Sequence, residues 1–289
     1  MLNEMFTLSN GVAIPKIGYG TWMVPDNEAA KAVQTAIEVG YRHIDTAQAY
    51  QNEQGVGEGI RLSGIPRKEL FVTTKLAAEI KNYDEAKKAI KESLDRLALD
   101  YIDLMIIHSP KPWVNFQEDN HFFEGNLAAW QALEEAYQSG QIRSIGVSNF
   151  EKEDLQNIIN HGNIKPMVNQ VLAHIGNTPF DLINYSKANQ ILVEAYSPIA
   201  HGEMMQNKQI TELAQKYNVS IPQLAIKYCL QLELLPLPKA SSIDHMKNNS
   251  ELDFTISEED MTHLKAVKMT DYGSNSETPV FKRASKTTN

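Results

Sequence analysis

Residues 70–108 read LFVTTKLAAEIKNYDEAKKAIKESLDRLALDYIDLMIIH, and their pattern decides the fold. A strand-prone run at 70–74, Leu-Phe-Val followed by two threonines, stops at Lys75. Across 84–99 the apolar residues return every three or four positions, the period of one helical face. A second run, YIDLMII at 101–107 and apolar throughout 104–107, then stops at His108. Strands buried on both faces read as continuous apolar runs, whereas a sheet with one wet face alternates. Two such runs joined by a helix describe a parallel strand–helix–strand unit.

The same rhythm extends in both directions. Strand-like runs recur as GYGT (18–21), RHID (42–45), IRSIGVS (142–148), PMVNQV (166–171), ILVEAYS (191–197) and LLPLPK (234–239), each followed by a helical pattern. With the two quoted above, that makes eight strand–helix units. Eight parallel units predict an α/β chain folded as a (β/α)8 TIM barrel, with a doubly wound open sheet as the alternative. MFTLS and VAIPKI flank Asn10-Gly11, a hairpin signal, and the hairpin is expected to cap the barrel bottom. Extra helices follow the eighth unit, one of them over 257–268. No Pro/Ser/Gly-rich linker divides residues 1–289, so one domain is expected. The tail 269–289 is polar and is expected to be partly mobile, leaving the site open.

Composition narrows the classes. The 289-residue chain has a formal net charge of −9 and no basic block, which disfavours nucleic acid and anionic membranes. No run approaches the roughly 18 apolar residues of a membrane span. The first ten residues lack the basic and apolar regions of a signal peptide. The single cysteine, Cys229, rules out an internal disulfide and lies in a helical apolar stretch, which makes it a core residue. A cytoplasmic, monomeric protein is expected. No histidine has metal-ligand spacing, so no metal is expected.

The chemistry sits where the strands end, because barrel ligands bind at the C-terminal ends of strands. Asp45, Lys75 and His108 end three successive strands, and Tyr50 follows Asp45 by five positions. Hydride delivery to a carbonyl carbon creates an alkoxide that needs a proton. A phenol becomes a better acid beside an ammonium. The residues therefore divide into Tyr50 as acid, Lys75 as its activator, Asp45 as anchor and His108 as the group that holds the substrate oxygen.

Later strand ends carry Ser148-Asn149, Gln170, Tyr196-Ser197 and Lys239. Asn and Gln can bond a carboxamide, and Tyr196 offers a flat face. Lys239 opens the polar segment KASSIDHMKNN (239–249), which begins a helix, and a helix start with hydroxyls and a lysine suits phosphate. Together they suit a nicotinamide dinucleotide. GVGEG (55–59) is no dinucleotide fingerprint: it follows no strand and lies within a helical pattern, so it reads as a closely packed helix.

HIDTAQAYQNE (43–53), TTKL (73–76), IIHSPKPW (106–113), IRSIGVSNF (142–150), NQV (169–171), VEAYSPI (193–199) and LPKASS (237–242) resemble the aldo-keto reductase superfamily, in its bacterial branch of aldehyde and 2,5-diketo-D-gluconate reductases. The resemblance runs from GYGTW at 18–22 to about Phe254. It implies an NADPH-dependent reductase of aldehydes, ketones or keto acids, whose partner is a small carbonyl substrate. It implies a catalytic tetrad at Asp45, Tyr50, Lys75 and His108. Carboxamide contacts would fall on Ser148, Asn149 and Gln170, and ring stacking on Tyr196. Ser197, Lys239, Ala240, Ser241, His245, Asn248 and Asn249 would hold the rest of the cofactor. Trp22 and Trp113 would line the substrate pocket with Tyr50 and His108. Where the family commonly has Lys-Ser and then an arginine six positions after the lysine, this chain has Lys239-Ala240 and His245, so use of NADH is also expected. A nucleotide-binding regulatory subunit and a lyase using Lys75 as a Schiff-base amine are the rival readings.

Overall fold

The computed structural model describes residues 1–287. A two-stranded antiparallel hairpin, β1 (Met5–Thr7) and β2 (Ala13–Pro15), comes first. The barrel strands are β3 (Tyr19–Gly20), β4 (His43–Asp45), β5 (Phe71–Leu76), β6 (Leu104–Ile107), β7 (Ile145–Ser148), β8 (Val168–Leu172), β9 (Leu192–Tyr196) and β10 (Leu235–Leu237). They pair in chain order, each parallel to the next. Gly18 N donates to Pro236 O and Gly20 N to Pro238 O, both at 3.1 Å, which joins β3 to β10 and closes the ring. A Cβ on Gly18 would lie 2.5 Å from Leu237 Cδ2 and 2.8 Å from His43 Nδ1, so a larger residue at this seam would have to displace both side chains.

The helices α1 (Asp26–Val39), α2 (Glu53–Leu62), α3 (Tyr83–Leu97), α4 (Phe123–Gln138), α5 (Lys152–His161), α6 (Phe180–Ala188), α7 (Lys208–Lys216), α8 (Ile221–Gln231) and α9 (Ile243–Ser250) lie between or after the strands. Then come α10 (Glu258–Ala266) and α11 (Pro279–Thr287). Among the described residues no helix is long and apolar enough to cross a membrane. Cys229 is fully buried in α8, and burial raises its thiol to about 12, so it is inert packing.

The hairpin loop has three residues, Ser9–Gly11, because Leu8 N still pairs with Val12 O. Asn10 Nδ2 donates to Arg143 O just before β7, so the loop is tied to the N-terminal end of the barrel. Asn82 caps α3 by accepting from Glu85 N at 2.9 Å. Gly162 ends α5 in extended geometry, unlike the left-handed Gly40 after α1.

Glycines 55, 57 and 59 lie in α2 and are buried. A Cβ on Gly55 would strike the Asp26 carbonyl of α1, and one on Gly59 would lie 2.7 Å from the Ala30 carbonyl. A Cβ on Gly57 would strike the Leu97 carbonyl of α3. The glycine run is thus a helix packed closely against two others. Alanine at 57 gains about 1 kcal/mol of helix propensity. The clash is with backbone that cannot rotate away, and overpacking costs about 1–3 kcal/mol or more. With the clash at the upper end of that range, about 2–3 kcal/mol, Gly57→Ala should destabilise the fold by about 1–2 kcal/mol net in urea denaturation; equal or higher stability would show that α2 and α3 are not in this contact.

Candidate active site

The side chains at the strand ends converge inside the barrel mouth. Lys75 is fully buried on β5. Its Nζ donates to Asp45 Oδ1 at 2.5 Å, to Thr46 O at 2.9 Å and to Tyr50 OH at 3.3 Å. An ammonium out of water is costly unless it is paired and hydrogen-bonded. Burial by itself would lower its pKa, but Asp45 and Tyr50 more than offset this, and the net shift is upward. The lysine stays charged.

Tyr50 stands on a short 3-10 turn, Gln48–Tyr50. Gln48 is held by Ala89 O and Ser93 of α3, and it accepts from Ala77 N. Burial raises the phenol's pKa, Lys75 opposes the rise and Asp45 adds to it, leaving a net increase. The lysine therefore limits the loss of acidity rather than producing a net gain. His108 packs edge-on to Tyr50 at 5.7 Å and to Trp113 at 5.1 Å between ring centroids. Burial first, then the Lys75 charge, hold its imidazole well below the ordinary value, so it is neutral. Its Nδ1 is buried without a hydrogen-bond partner.

A cavity of about 540 Å³ opens over these groups. Tyr50, His108, Trp22 and Trp113 line it, as do Ser148, Asn149, Gln170, Tyr196, Ser197 and Lys239. Ser148 Oγ donates to Gln170 O at 2.8 Å, and Asn149 Nδ2 donates to His108 O at 3.0 Å. Tyr196 OH donates to Asn149 Oδ1 at 2.7 Å. Asn149 and Ser197 follow β7 and β9 directly, and both are left-handed, with φ of 60° and 49°. Such backbone costs energy for a serine and clusters at functional sites.

Gln170 spans the barrel. Its Nε2 donates to Asp45 Oδ2 at 2.9 Å, across the ring, and to Glu194 Oε2 at 2.7 Å on the next strand. Glu194 is fully buried. Burial and Asp45 push its carboxyl up to about 8, against smaller opposing effects from Gln170 and Lys75. Sequence reading passed over this residue. The signal was present: a carboxylate within the apolar strand LVEAY, two positions before cavity-lining Tyr196.

Not every expected cofactor residue joins this cavity. Ala240 and Ser241 line a neighbouring cleft beside α1, shared with Lys239. His245 is exposed on the first turn of α9, where its N–H is capped by Ser242. Asn248 accepts from Ser220 Oγ at 2.7 Å, and Asn249 is buried. These three line neither cavity. Among the described residues, no His, Cys, Asp and Glu cluster could hold a metal ion.

Residues 16–268 match the aldo/keto reductase family. The chain belongs to that family. It is similar to the glyoxal reductase of Bacillus subtilis (strain 168), at 40% identity over 92% of this chain and 93% of that protein. Among solved structures, it resembles an aldo-keto reductase from a Medee basin deep-sea metagenome library, with a TM-score of 0.85 and 38% identity, covering 91% of this chain and 94% of that one. It also resembles the Bombyx mori aldo-keto reductase solved in complex with NADP, with a TM-score of 0.84 and 32% identity over 97% and 99% of the two chains.

In this aldo/keto reductase the C-terminal segment is part of the site, contrary to the open pocket expected from its polarity. Thr278, Pro279 and Val280 line the cavity. Tyr272 and Phe281 are fully buried. The Phe281 ring lies 4.5 Å from Tyr272 and 5.0 Å from His201, which in turn meets Trp22 edge-on at 4.8 Å. Arg283 pairs with Glu151 at 2.9 Å. Two buried aromatics, with Met269 and Ala284 also buried, anchor a segment that is polar on average, so its mean polarity did not reveal the docking.

Phe281→Ala should loosen this wall, since deleting a buried phenyl ring costs about 3–5 kcal/mol. Trypsin nicking after Lys282 or Arg283 should then speed up by at least about tenfold, because proteolysis follows local opening. An unchanged nicking rate would show that Phe281 does not hold the segment.

Proposed function

We propose that the chain reduces aldehydes, ketones or keto acids to alcohols with NADPH, with Tyr50 donating the proton to the carbonyl oxygen. The observation that carries this reading is the buried Lys75 ammonium, bonded at once to Asp45 and to the Tyr50 hydroxyl at the inner end of the cavity. When bound, the reduced nicotinamide supplies the hydride. The remaining tasks fall to the chain's own side chains.

The hydrogen-bond capacity left in the cavity fits that cofactor. The Gln170 amide nitrogen already donates to Asp45 and Glu194, and its carbonyl oxygen is free to accept from a carboxamide N–H. Asn149 Oδ1 accepts only from Tyr196 and has capacity for a second donor. Lys239, at the cavity's other end, offers a cation to a pyrophosphate. Ser197 is the other contact assigned there, while Ala240, Ser241, His245, Asn248 and Asn249 would meet the adenosine side.

Tyr50 keeps its proton at neutral pH because burial raises its pKa. An alkoxide is a far stronger base than a phenolate, so the proton moves once negative charge develops on the substrate oxygen. The phenolate left behind faces the Lys75 ammonium, which stabilises it. Neutral His108 has its Nδ1 turned into the protein, which leaves Nε2 to hold the substrate oxygen beside the phenol. Trp22, Trp113 and the Thr278–Val280 segment shield the reacting groups from water.

Neither rival reading gains support. A Schiff-base lyase needs a neutral amine, and Asp45 keeps Lys75 charged. A purely regulatory barrel has no need of a buried, fully assembled proton-donor cluster. The proposal extends to a cytoplasmic monomer built as one domain; the lone cysteine suits a reducing compartment.

Tyr50→Phe should still bind NADPH, read by quenching of tryptophan fluorescence, and should lose about 10²-fold or more in kcat, the usual contribution of a general acid. Turnover within a few-fold of wild type would exclude Tyr50 as the acid.

His245 bears on cofactor choice. Arginine grips a phosphate as a fixed, bidentate, charged fork, which an imidazole cannot do. The ratio of kcat/KM for NADPH over NADH should therefore be modest at neutral pH. His245→Arg should enlarge it. A large ratio in the wild type, unchanged in His245→Arg, would remove His245 from cofactor choice.

A further inference from the structure

Glu194 has no task in the chemistry above, yet it lies directly behind that site. It pairs across the sheet with Gln170, whose amide nitrogen bridges Glu194 Oε2 and Asp45 Oδ2. Its second oxygen, Oε1, is buried with no hydrogen-bond partner. A buried, half-satisfied carboxyl holds its proton unless a cation compensates for the charge. The nearest cation, Lys75 on β5, is already paired with Asp45 on β4. The sheet neighbours β8 and β10 bring no other titratable side chain. On α6, outside β9, Lys187 turns away to Glu233, Asp181 is exposed and Tyr185 lies under Lys152.

Charge counting gives the consequence. Lys75 and Asp45 cancel, so with Glu194 neutral the floor beneath Gln170 carries no net charge. Loss of the Glu194 proton leaves one net negative charge there, in a water-poor interior. An oxidised nicotinamide ring is cationic and a reduced one is neutral. A negative charge beneath the ring therefore discriminates between the two forms, and a neutral floor does not.

We propose that Glu194 is a positioning residue and proton-linked charge switch: protonated, it orients Gln170 and leaves reduced and oxidised cofactor on an equal electrostatic footing; ionised, it favours the oxidised form. This rests on the reading that the Gln170 end of the cavity receives the nicotinamide. The changeover falls on the mildly alkaline side, since the carboxyl titrates at about 8. The switch would set the enzyme toward carbonyl reduction near neutrality and toward product inhibition, or alcohol oxidation, in alkali.

The test is binding, without turnover. Dissociation constants for NADPH and for NADP⁺ are measured on the full chain by tryptophan quenching, between about pH 6.5 and pH 9.5. Charges on the adenosine side of the site, the 2′-phosphate included, act on both cofactors alike and largely cancel in the ratio. In the wild type, Kd(NADPH)/Kd(NADP⁺) should rise on the order of fivefold with pH, as expected for one buried charge near another. In Glu194→Gln and Glu194→Met, either of which suffices if folded, it should change by less than about twofold.

A separate reading is thermal. A carboxyl whose folded pKa is raised loses stability as pH rises from its unfolded value of 4.5 to its folded value of about 8. The Tm of Glu194→Gln should therefore gain on wild type across that window and level off above it. A flat wild-type ratio overturns the switch, as does a rise that persists in the variants. If neither cofactor binds, the reading of the cavity fails, and the switch with it.

Discussion

A lysine ammonium with no exposed surface is the constraint on which the site depends. Such a charge survives only if its partners are fixed, and removing one partner of a buried pair costs about 3–5 kcal/mol. Asp45 is that partner, and each of its oxygens is committed, Oδ1 to Lys75 and Oδ2 to Gln170 on the far side of the ring. Strands β4, β5 and β8 are thereby linked through one carboxylate. The Tyr50 hydroxyl accepts a further hydrogen bond from Lys75, so the phenol's place follows from the ion pair's. Gln170 in turn is held between Asp45 and Glu194, which orients the amide facing the cavity.

The outer structure keeps this arrangement from moving. Gln48, beside Tyr50 in chain, is bonded to α3, and α2 presses against α1 and α3 through glycines that admit no side chain. The strained backbone at Asn149 and Ser197 is tolerated because neighbours bond each residue, His108 O and Tyr196 for the first and His201 for the second. His201 also links this rim to Trp22 and to Phe281 of the C-terminal segment. The mouth of the barrel is therefore one connected network, from the ion pair at its floor to the aromatic contacts at its edge.

Much of this was legible in the chain itself. Asp45, Lys75 and His108 were found because each terminates an apolar run, and strand ends converge in a parallel barrel. Ser148, Asn149, Gln170, Tyr196, Ser197 and Lys239 were found by the same rule, and all line the cavity. Residues placed by other rules were harder. Glu194 lies within its strand rather than at the end, so the strand-end rule missed it. The docking of 272–284 depends on Tyr272 and Phe281, and the apolar face that Phe281 shares with Val280 and Ala284 spans barely one helical turn in an otherwise polar tail. The net direction of the Tyr50 shift could not be read either, because it depends on how far burial outweighs the lysine. The three-residue hairpin loop and the Asn82 cap are local hydrogen-bond choices that residue type leaves open.

The central claim is that a charged Lys75, held by Asp45, makes Tyr50 a working proton donor. Asp45→Asn tests it most directly, since it removes the charge while leaving the side chain's shape. Its kcat should be measured alongside circular dichroism and NADPH binding by tryptophan quenching. The account predicts a folded, less stable protein that binds NADPH with nearly wild-type affinity and has lost about 10²-fold or more in kcat. A folded Asp45→Asn protein with kcat within about threefold of wild type would contradict it.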